Sequence, residues 1–316
     1  MSFQRVTTPV LHLAYEAKGP IDGSPVFMLH GWPDDVRTYD RILPRLHESG
    51  FRTFVPWLRG FGPTSFISEH TPRSGQIAAM AQDVLDLADA LGILRFAIVG
   101  HDWGARIAYL LAATFPERVS RFAALSVGWQ PGELPTPSIE QAQRYWYQWY
   151  MSTERGATEL HTEGKAFARF MWETWSPSGW FDDATFDTTA RSFENPDWAE
   201  ITIHSYRVRW GQAEPDPRYG ALEEHARNAL SIDVPALLVQ GGSDQVALPN
   251  SSAATGNYFS GPFQRVVLEG VGHFPTREAP HSVTRLLSPF LKGRKIVEKP
   301  PFNLAHGPRV HSFEAE

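Results

Sequence analysis

The segment Val99-Gly100-His101-Asp102-Trp103-Gly104-Ala105 constrains this chain more than any other, because it dictates a strand, a strained turn and a helix within a few residues. Arg95-Phe96-Ala97-Ile98-Val99 is a short apolar run of the kind that forms a buried strand, and Ala105 to Ala113 reads as a helix rich in small residues. Gly100 and Gly104 stand where a Cβ would press on the neighbouring strand or helix. The side chain between them then points out of the top of a sheet. Here it is a carboxylate, Asp102, where strand-to-helix nucleophile turns commonly carry serine. A carboxylate forms no useful acyl-enzyme from an ester, but it attacks an electrophilic sp³ carbon and leaves a covalent alkyl ester. The plainer role for Asp102 is to cap the helix that starts at Trp103, so the remainder of the chain has to decide.

The rhythm around this segment predicts an α/β fold with a mostly parallel sheet flanked by helices. Strands are expected at Leu11 to Glu16, Pro25 to Leu29, Thr53 to Pro56, Phe96 to Gly100 and Phe122 to Ser126, with helices at Tyr39 to Glu48 and Gln76 to Leu91. From about Gln130 to Ser231 no such alternation is visible, and seven of the eleven tryptophans fall there, which predicts a helical insertion. The α/β rhythm then resumes with strands at Ala236 to Gln240 and Arg265 to Glu269, a helix at Asn250 to Phe259 and a closing helix at His281 to Leu291. The expected organisation is therefore a core of residues 1–130 and 232–316 with a helical cap, 131–231, inserted in it. The tail after Lys292 has no periodicity and is expected to run irregularly over the surface.

Composition removes several classes of function. The net charge of −6 comes from interspersed charges without a basic stripe, so nucleic acid is not an expected partner. There is no cysteine, hence no disulfide framework, thiolate nucleophile or Cys-based metal site. The twelve histidines form no H-x-x-x-H cluster and no phosphate loop is evident, so neither metal nor organic cofactor is implied. No apolar run approaches a membrane span, and the amino terminus has no apolar targeting segment; a cytoplasmic location is expected. The sequence does not set the oligomeric state, and a homodimer is compatible with it.

If Asp102 is a nucleophile, its ester must later be cleaved by water, which requires a base and an acid that orients that base. Gly270-Val271-Gly272-His273-Phe274 follows the last expected strand, and Gly241-Gly242-Ser243-Asp244 follows the one before it. Both His273 and Asp244 thus fall at the carboxyl edge of the sheet, where sites of open α/β sheets gather. The order nucleophile, acid, histidine fits this arrangement. Plainer roles, a surface loop histidine and a turn aspartate, stand beside these. Ester cleavage also needs donors for developing negative charge. The backbone amide of Trp32, in His30-Gly31-Trp32-Pro33, and that of Trp103 are the expected oxyanion-hole donors, while His30 is expected to be a buried residue that fixes its loop. A cis bond before Pro33 is also expected.

These residues resemble the α/β-hydrolase superfamily and, within it, the epoxide hydrolases, with haloalkane and fluoroacetate dehalogenases as near relatives. The resemblance spans about residues 5 to 295. His30-Gly31-Trp32-Pro33 is similar to the family's H-G-x-P oxyanion motif, Gly100-His101-Asp102-Trp103-Gly104 to its nucleophile motif, and Arg59-Gly60-Phe61-Gly62 to its R-G-x-G turn. The implied fold is the α/β-hydrolase fold with a cap. The implied reaction converts an apolar epoxide and water to a vicinal diol. Epoxide opening leaves a basic alkoxide, which a tyrosine can protonate. The resemblance implies two cap tyrosines for this role: Tyr206, in Tyr206-Arg207, and Tyr147, with Tyr145 and Tyr150 as alternatives. Trp149 and Pro33 are assigned by the same resemblance to the substrate pocket. Against a dehalogenase stand Trp32, where the haloalkane branch carries Asn, and Trp103, where the fluoroacetate branch carries Arg; Arg106 and Trp149 speak for the latter. A non-catalytic receptor for a small ligand on the same fold is the reading from another class.

Overall fold

The computed structural model describes residues 3–129 and 136–294 of the chain. Its sheet runs β1 (Gln4–Thr7), β2 (Leu11–Lys18), β4 (Phe51–Pro56), β3 (Ser24–Leu29), β6 (Phe96–His101), β7 (Val119–Leu125), β8 (Ala236–Gly241) and β9 (Phe263–Leu268) from edge to edge. From β4 to β9 every neighbouring pair is parallel; β1, β2 and the short β5 (Ser65–Phe66) pair antiparallel at one end. The central strands β6 and β8 are buried at every position, which explains their unbroken apolar character, since a parallel sheet has helices on both faces.

Helices α1 (Leu43–Glu48), α2 (Ile77–Ala90), α3 (Trp103–Thr114), α10 (Pro275–Glu278) and α11 (Pro280–Leu291) flank the sheet. Helix α2 buries Ala81, Val84, Leu85 and Ala88 on one face together with Asp83. Asp83 is tolerated there because Arg59, itself fully buried, meets it with two hydrogen bonds of 2.7 Å. The same guanidinium donates to the carbonyls of Ser74 and Ala79 and to the Tyr219 hydroxyl.

Between β7 and β8 the chain leaves the sheet to build an inserted helical cap: α4 (Ile139–Arg144), α5 (Trp146–Ser152), α6 (Glu154–Trp175), α7 (Asp183–Ala190), α8 (Trp198–Arg209) and α9 (Gly220–Asn228). Helix α6 breaks at Glu163, whose φ of −127° and ψ of 26° are not helical. Polar contacts pin the cap to the core: Trp172 Nε1 donates to the Pro33 carbonyl (2.7 Å), Ser192 Oγ to Asp35 (2.7 Å) and Arg277 to Thr189 Oγ1 (2.9 Å).

Two expected helices fold differently. Tyr39 to Glu48 is a 3₁₀ turn, Val36–Tyr39, followed by the separate α1. The Tyr39 hydroxyl is drawn into the sheet, donating to the Leu29 and Val99 carbonyls, and Pro44 restarts the helix at its first turn. Asn250 to Phe259 is two 3₁₀ turns, Pro249–Ser252 and Thr255–Tyr258, because Ser251 and Ser252 hydroxyls donate back to the Leu248 and Pro249 carbonyls and compete with helical bonding. Strands β1 and β5 were not expected; they are short and partly exposed, so only pairing to β2 marks them. Among the described residues no helix is long and apolar enough to cross a membrane. The expectation for the tail falls largely on residues 295–316, outside those described.

A Cβ on Gly104 would lie 1.9 Å from the Leu29 carbonyl oxygen, backbone that cannot swing away, whereas one on Gly220 would meet nothing within 4 Å. Gly104→Ala is therefore expected to destabilise the fold by about 3 kcal/mol, and Gly220→Ala to leave it unchanged or slightly more stable. Urea unfolding of the two variants beside the parent chain checks this; equal midpoints would refute the close-approach argument.

Candidate active site

The carboxyl ends of β3, β6, β8 and β9 converge on Asp102. Its backbone is strained, with φ 50° and ψ −109°, in the turn that joins β6 to α3. The Trp32 amide, just past β3, donates to Asp102 Oδ1 at 3.0 Å. Trp103 is the first residue of α3, and its amide belongs to the helical N–H groups that have no intrahelical acceptor. The Trp32–Pro33 bond is cis.

His273 lies on the loop after β9, with Nε2 3.7 Å from Asp102 Oδ2 and Nδ1 2.8 Å from Asp244 Oδ2. The remaining oxygen of Asp244 accepts from the amides of Val246 (2.9 Å) and Ala247 (2.8 Å), so the acid is locked in its loop after β8. Burial by itself would drive His273 toward the neutral form, but the carboxylates of Asp244 and Asp102 outweigh it and hold the imidazole above its ordinary pKa. Burial would likewise raise Asp102, and the facing His273 instead holds it below the usual carboxylate range. The arrangement thus favours the protonated imidazole while Asp102 carries its charge.

Several residues that sequence reasoning missed hold His273 in place. Ser126 Oγ and His101 Nε2 both donate to its carbonyl at 2.7 Å; as a carbonyl only accepts, His101 carries its proton on Nε2. The His273 amide donates to Ser176 Oγ (2.8 Å), and Ser176 donates to Glu278 (2.7 Å), which also accepts from the Gly272 and Phe274 amides at 2.6 and 2.8 Å. Glu278 lies near enough in sequence to His273 to be suspected of closing a turn, but Ser176 comes from the end of cap helix α6 and no sequence signal points to it. His30 does fix its loop: Leu58 N–H donates to Nε2 and Nδ1 donates to the Gly31 carbonyl, while burial lowers its pKa to about 4 and keeps it neutral.

A cavity of about 1070 Å³ opens above these groups, lined among others by Asp102, His273, Trp103, Tyr147 and Tyr206. The two tyrosine rings stand edge to face, 5.5 Å apart, and Trp32 stacks flat on Tyr147 at 5.6 Å. Burial raises both phenols above the ordinary tyrosine pKa, and the Asp102 charge raises each further, so both stay protonated. Tyr145 also lines the cavity; Tyr150 does not, and its hydroxyl turns to Glu159.

Trp149 and Pro33, expected in the substrate pocket, are not among the cavity's lining residues. Positions two apart on a helix face roughly opposite ways, so with Tyr147 inward Trp149 packs on Trp210 at 3.9 Å and donates to the Ala142 carbonyl. Pro33 instead offers its carbonyl to Trp172. No group of metal-ligating side chains occurs among the described residues.

Comparison with known proteins agrees with this geometry. The family described as alpha/beta hydrolase fold matches residues 24–280. Epoxide hydrolase A of Mycobacterium tuberculosis is 25% identical over 87% of this chain and 92% of its own. Bifunctional epoxide hydrolase 2 of Sus scrofa is 24% identical over 89% of this chain, which spans only 53% of that longer protein. Among solved structures, a candidate epoxide hydrolase from Klebsiella pneumoniae subsp. pneumoniae superposes with a TM-score of 0.85 at 37% identity, covering 90% of this chain and 95% of that one.

Because the Asp102 charge helps to hold His273 protonated, neutralising that carboxylate must lower the imidazole pKa. Asp102→Asn is expected to bring His273 down toward the ordinary value of about 6.5, and Asp244→Asn to do the same. Nitrogen-15 NMR titration of the histidine side chains reads this directly. An unmoved His273 in Asp102→Asn would show that the two groups are not electrostatically coupled.

Proposed function

The chain belongs to the α/β-hydrolase family and, within it, to the epoxide hydrolases, and from that premise we propose that it converts an epoxide to a vicinal diol through an ester on Asp102. The observation that carries this reading is the pair of buried, protonated phenols, Tyr147 and Tyr206, lining the same cavity as the strained carboxylate.

In the first step a carboxylate oxygen of Asp102 attacks one ring carbon. A C–O bond to the enzyme forms, the ring C–O bond breaks, and the departing oxygen takes a proton from a tyrosine. Halide would leave without a proton, and two phenols kept neutral by burial would then have no chemical purpose. Esterification also removes the Asp102 charge that holds His273 protonated. The imidazolium thus becomes acidic enough to return a proton to the phenolate, and His273 is left neutral.

Neutral His273 is the base for the second step. It takes a proton from water as the water oxygen attacks Cγ of the ester, with Nδ1 held by Asp244. The tetrahedral oxyanion receives hydrogen bonds from the Trp32 and Trp103 amides. Collapse breaks the ester C–O bond; the diol oxygen takes the proton of the His273 imidazolium, and the Asp102 carboxylic acid so formed passes its own proton to His273, which restores a carboxylate beside an imidazolium. In this scheme the base is switched on by the covalent step, so His273 does not activate water before the ester has formed.

Two experiments test the assignment. His273→Gln is expected to permit alkylation and block ester cleavage, so intact-mass measurement finds a protein adduct of substrate mass, mapped to Asp102; consumption of substrate without an adduct would assign His273 another role. Tyr147→Phe and Tyr206→Phe are each expected to retain part of the activity, and the double variant to lose about 10²- to 10⁴-fold in the alkylation step. Stopped-flow alkylation of folded variants measures this, with a haloalkane as the substrate that needs no proton. Near-normal epoxide opening in the double variant would remove the phenols from the mechanism.

A further inference from the structure

The cavity above Asp102 is not uniformly apolar. Arg106, on α3, and Arg209, the last residue of α8, both line it. Among the described residues neither guanidinium makes an ion pair or a hydrogen bond, and Arg209 Nε is buried without a partner. Of the acidic residues of the same cavity, Glu140, Glu214 and Glu223 pair with neither arginine, and Glu140 and Glu214 are exposed to solvent; the Asp102 carboxylate feels the charge of Arg106 but makes no ion pair with it. Unpaired cations in a partly buried site are a standing cost to the fold.

The two charges also act on one another. After burial, the Arg106 guanidinium is the next largest cause that lowers Arg209, to about 10. Arg209 is meanwhile held over the rings of Tyr145 (5.7 Å) and Trp210 (5.2 Å), which support its face and leave its N–H edge without an acceptor. Two guanidinium groups that line one cavity without an ion-pair partner are suited to receive an anion.

Their positions relate them to the chemistry. Arg106 follows Asp102 by one helical turn, its amide donating to the Asp102 carbonyl at 3.1 Å. Arg209 follows Tyr206 by three residues and so shares its side of α8. The backbone of each arginine therefore lies about one turn, ~5.4 Å, beyond that of a group assigned to the reacting centre. We propose that Arg106 and Arg209 together bind a carboxylate carried by the substrate, so that this site selects epoxy acids whose charge lies about one helical turn, ~5.4 Å, from the carbon under attack. This identifies a substrate class and rests on the epoxide reading above. It revises the expectation of a wholly apolar epoxide: an apolar middle would lie along Tyr145 and Trp103, with the charge at the far end.

The test separates the anion site from the reaction. Calorimetric titration of the full chain with para-ethylbenzoate and with the isosteric neutral para-ethylbenzamide needs no turnover. The acid is expected to bind about 10- to 100-fold more tightly, the range of charge-assisted hydrogen bonds. Arg106→Met and Arg209→Met, checked for folding by thermal melting, are each expected to reduce that ratio about tenfold, and Arg209→Lys to restore part of it. Equal binding of acid and amide by the parent chain overturns the proposal, as does an unchanged ratio in both folded Met variants. Turnover of para-oxiranylbenzoate against its amide is then expected to show the same preference in kcat/KM. Tight acid binding without turnover of either epoxide would leave the anion site standing and overturn the epoxide reading.

Discussion

The close approach of the β6-to-α3 turn to the end of β3 is the constraint on which the site depends. Gly104 lies so near the Leu29 carbonyl that a methyl group there would overlap it, and a Cβ on Gly31 would lie 2.5 Å from that of Asp102. Only because both positions lack side chains can the Trp32 amide reach Asp102 Oδ1. The strained backbone of Asp102 is held from its other side as well, by its amide on the Leu125 carbonyl of β7. His101, directly before it, donates to the carbonyl of His273. One turn therefore places Asp102, the Trp32 amide and His273 relative to each other.

Electrostatics build on that geometry. Two carboxylates flank one imidazole, and the proton they share is held by the sum of their charges. Removing either charge would loosen the proton, so in the proposed reaction an ester on Asp102 and a neutral His273 would arise together. Two backbone amides satisfy the Asp244 oxygen that His273 does not use, which fixes the other against Nδ1.

The cap contributes more than a lid of aromatic mass. Tyr147 from α5 and Trp175 from α6 pack on Trp32 of the core, as do Trp198 and Tyr206 from α8. The residue whose amide holds Asp102 is thus also the platform on which both phenols are fixed. Ser176, directly after α6, holds the His273 amide from the same side. Movement of the cap would consequently disturb Tyr147, Tyr206 and His273 together.

What the sequence determined by itself was local. The glycine spacing around Asp102 required a tight turn between strand and helix, the apolar runs placed the central strands, and the loops after β8 and β9 carried Asp244 and His273 to the same sheet edge. Those features follow from steric and periodic rules that act over a few residues. Periodicity failed where side chains bond the backbone instead, as at Ser251 and Ser252, or where a hydroxyl is pulled into the sheet, as at Tyr39. In the tryptophan-rich cap many aromatics were equally eligible, and only packing separated Tyr147 inside the cavity from Trp149 outside it. Tertiary structure alone brought Ser176 to His273 across 97 residues and set Arg209 and Arg106 on one cavity. Contacts between distant segments leave no short-range pattern in a sequence, because each depends on how whole helices pack rather than on the residues adjacent to it.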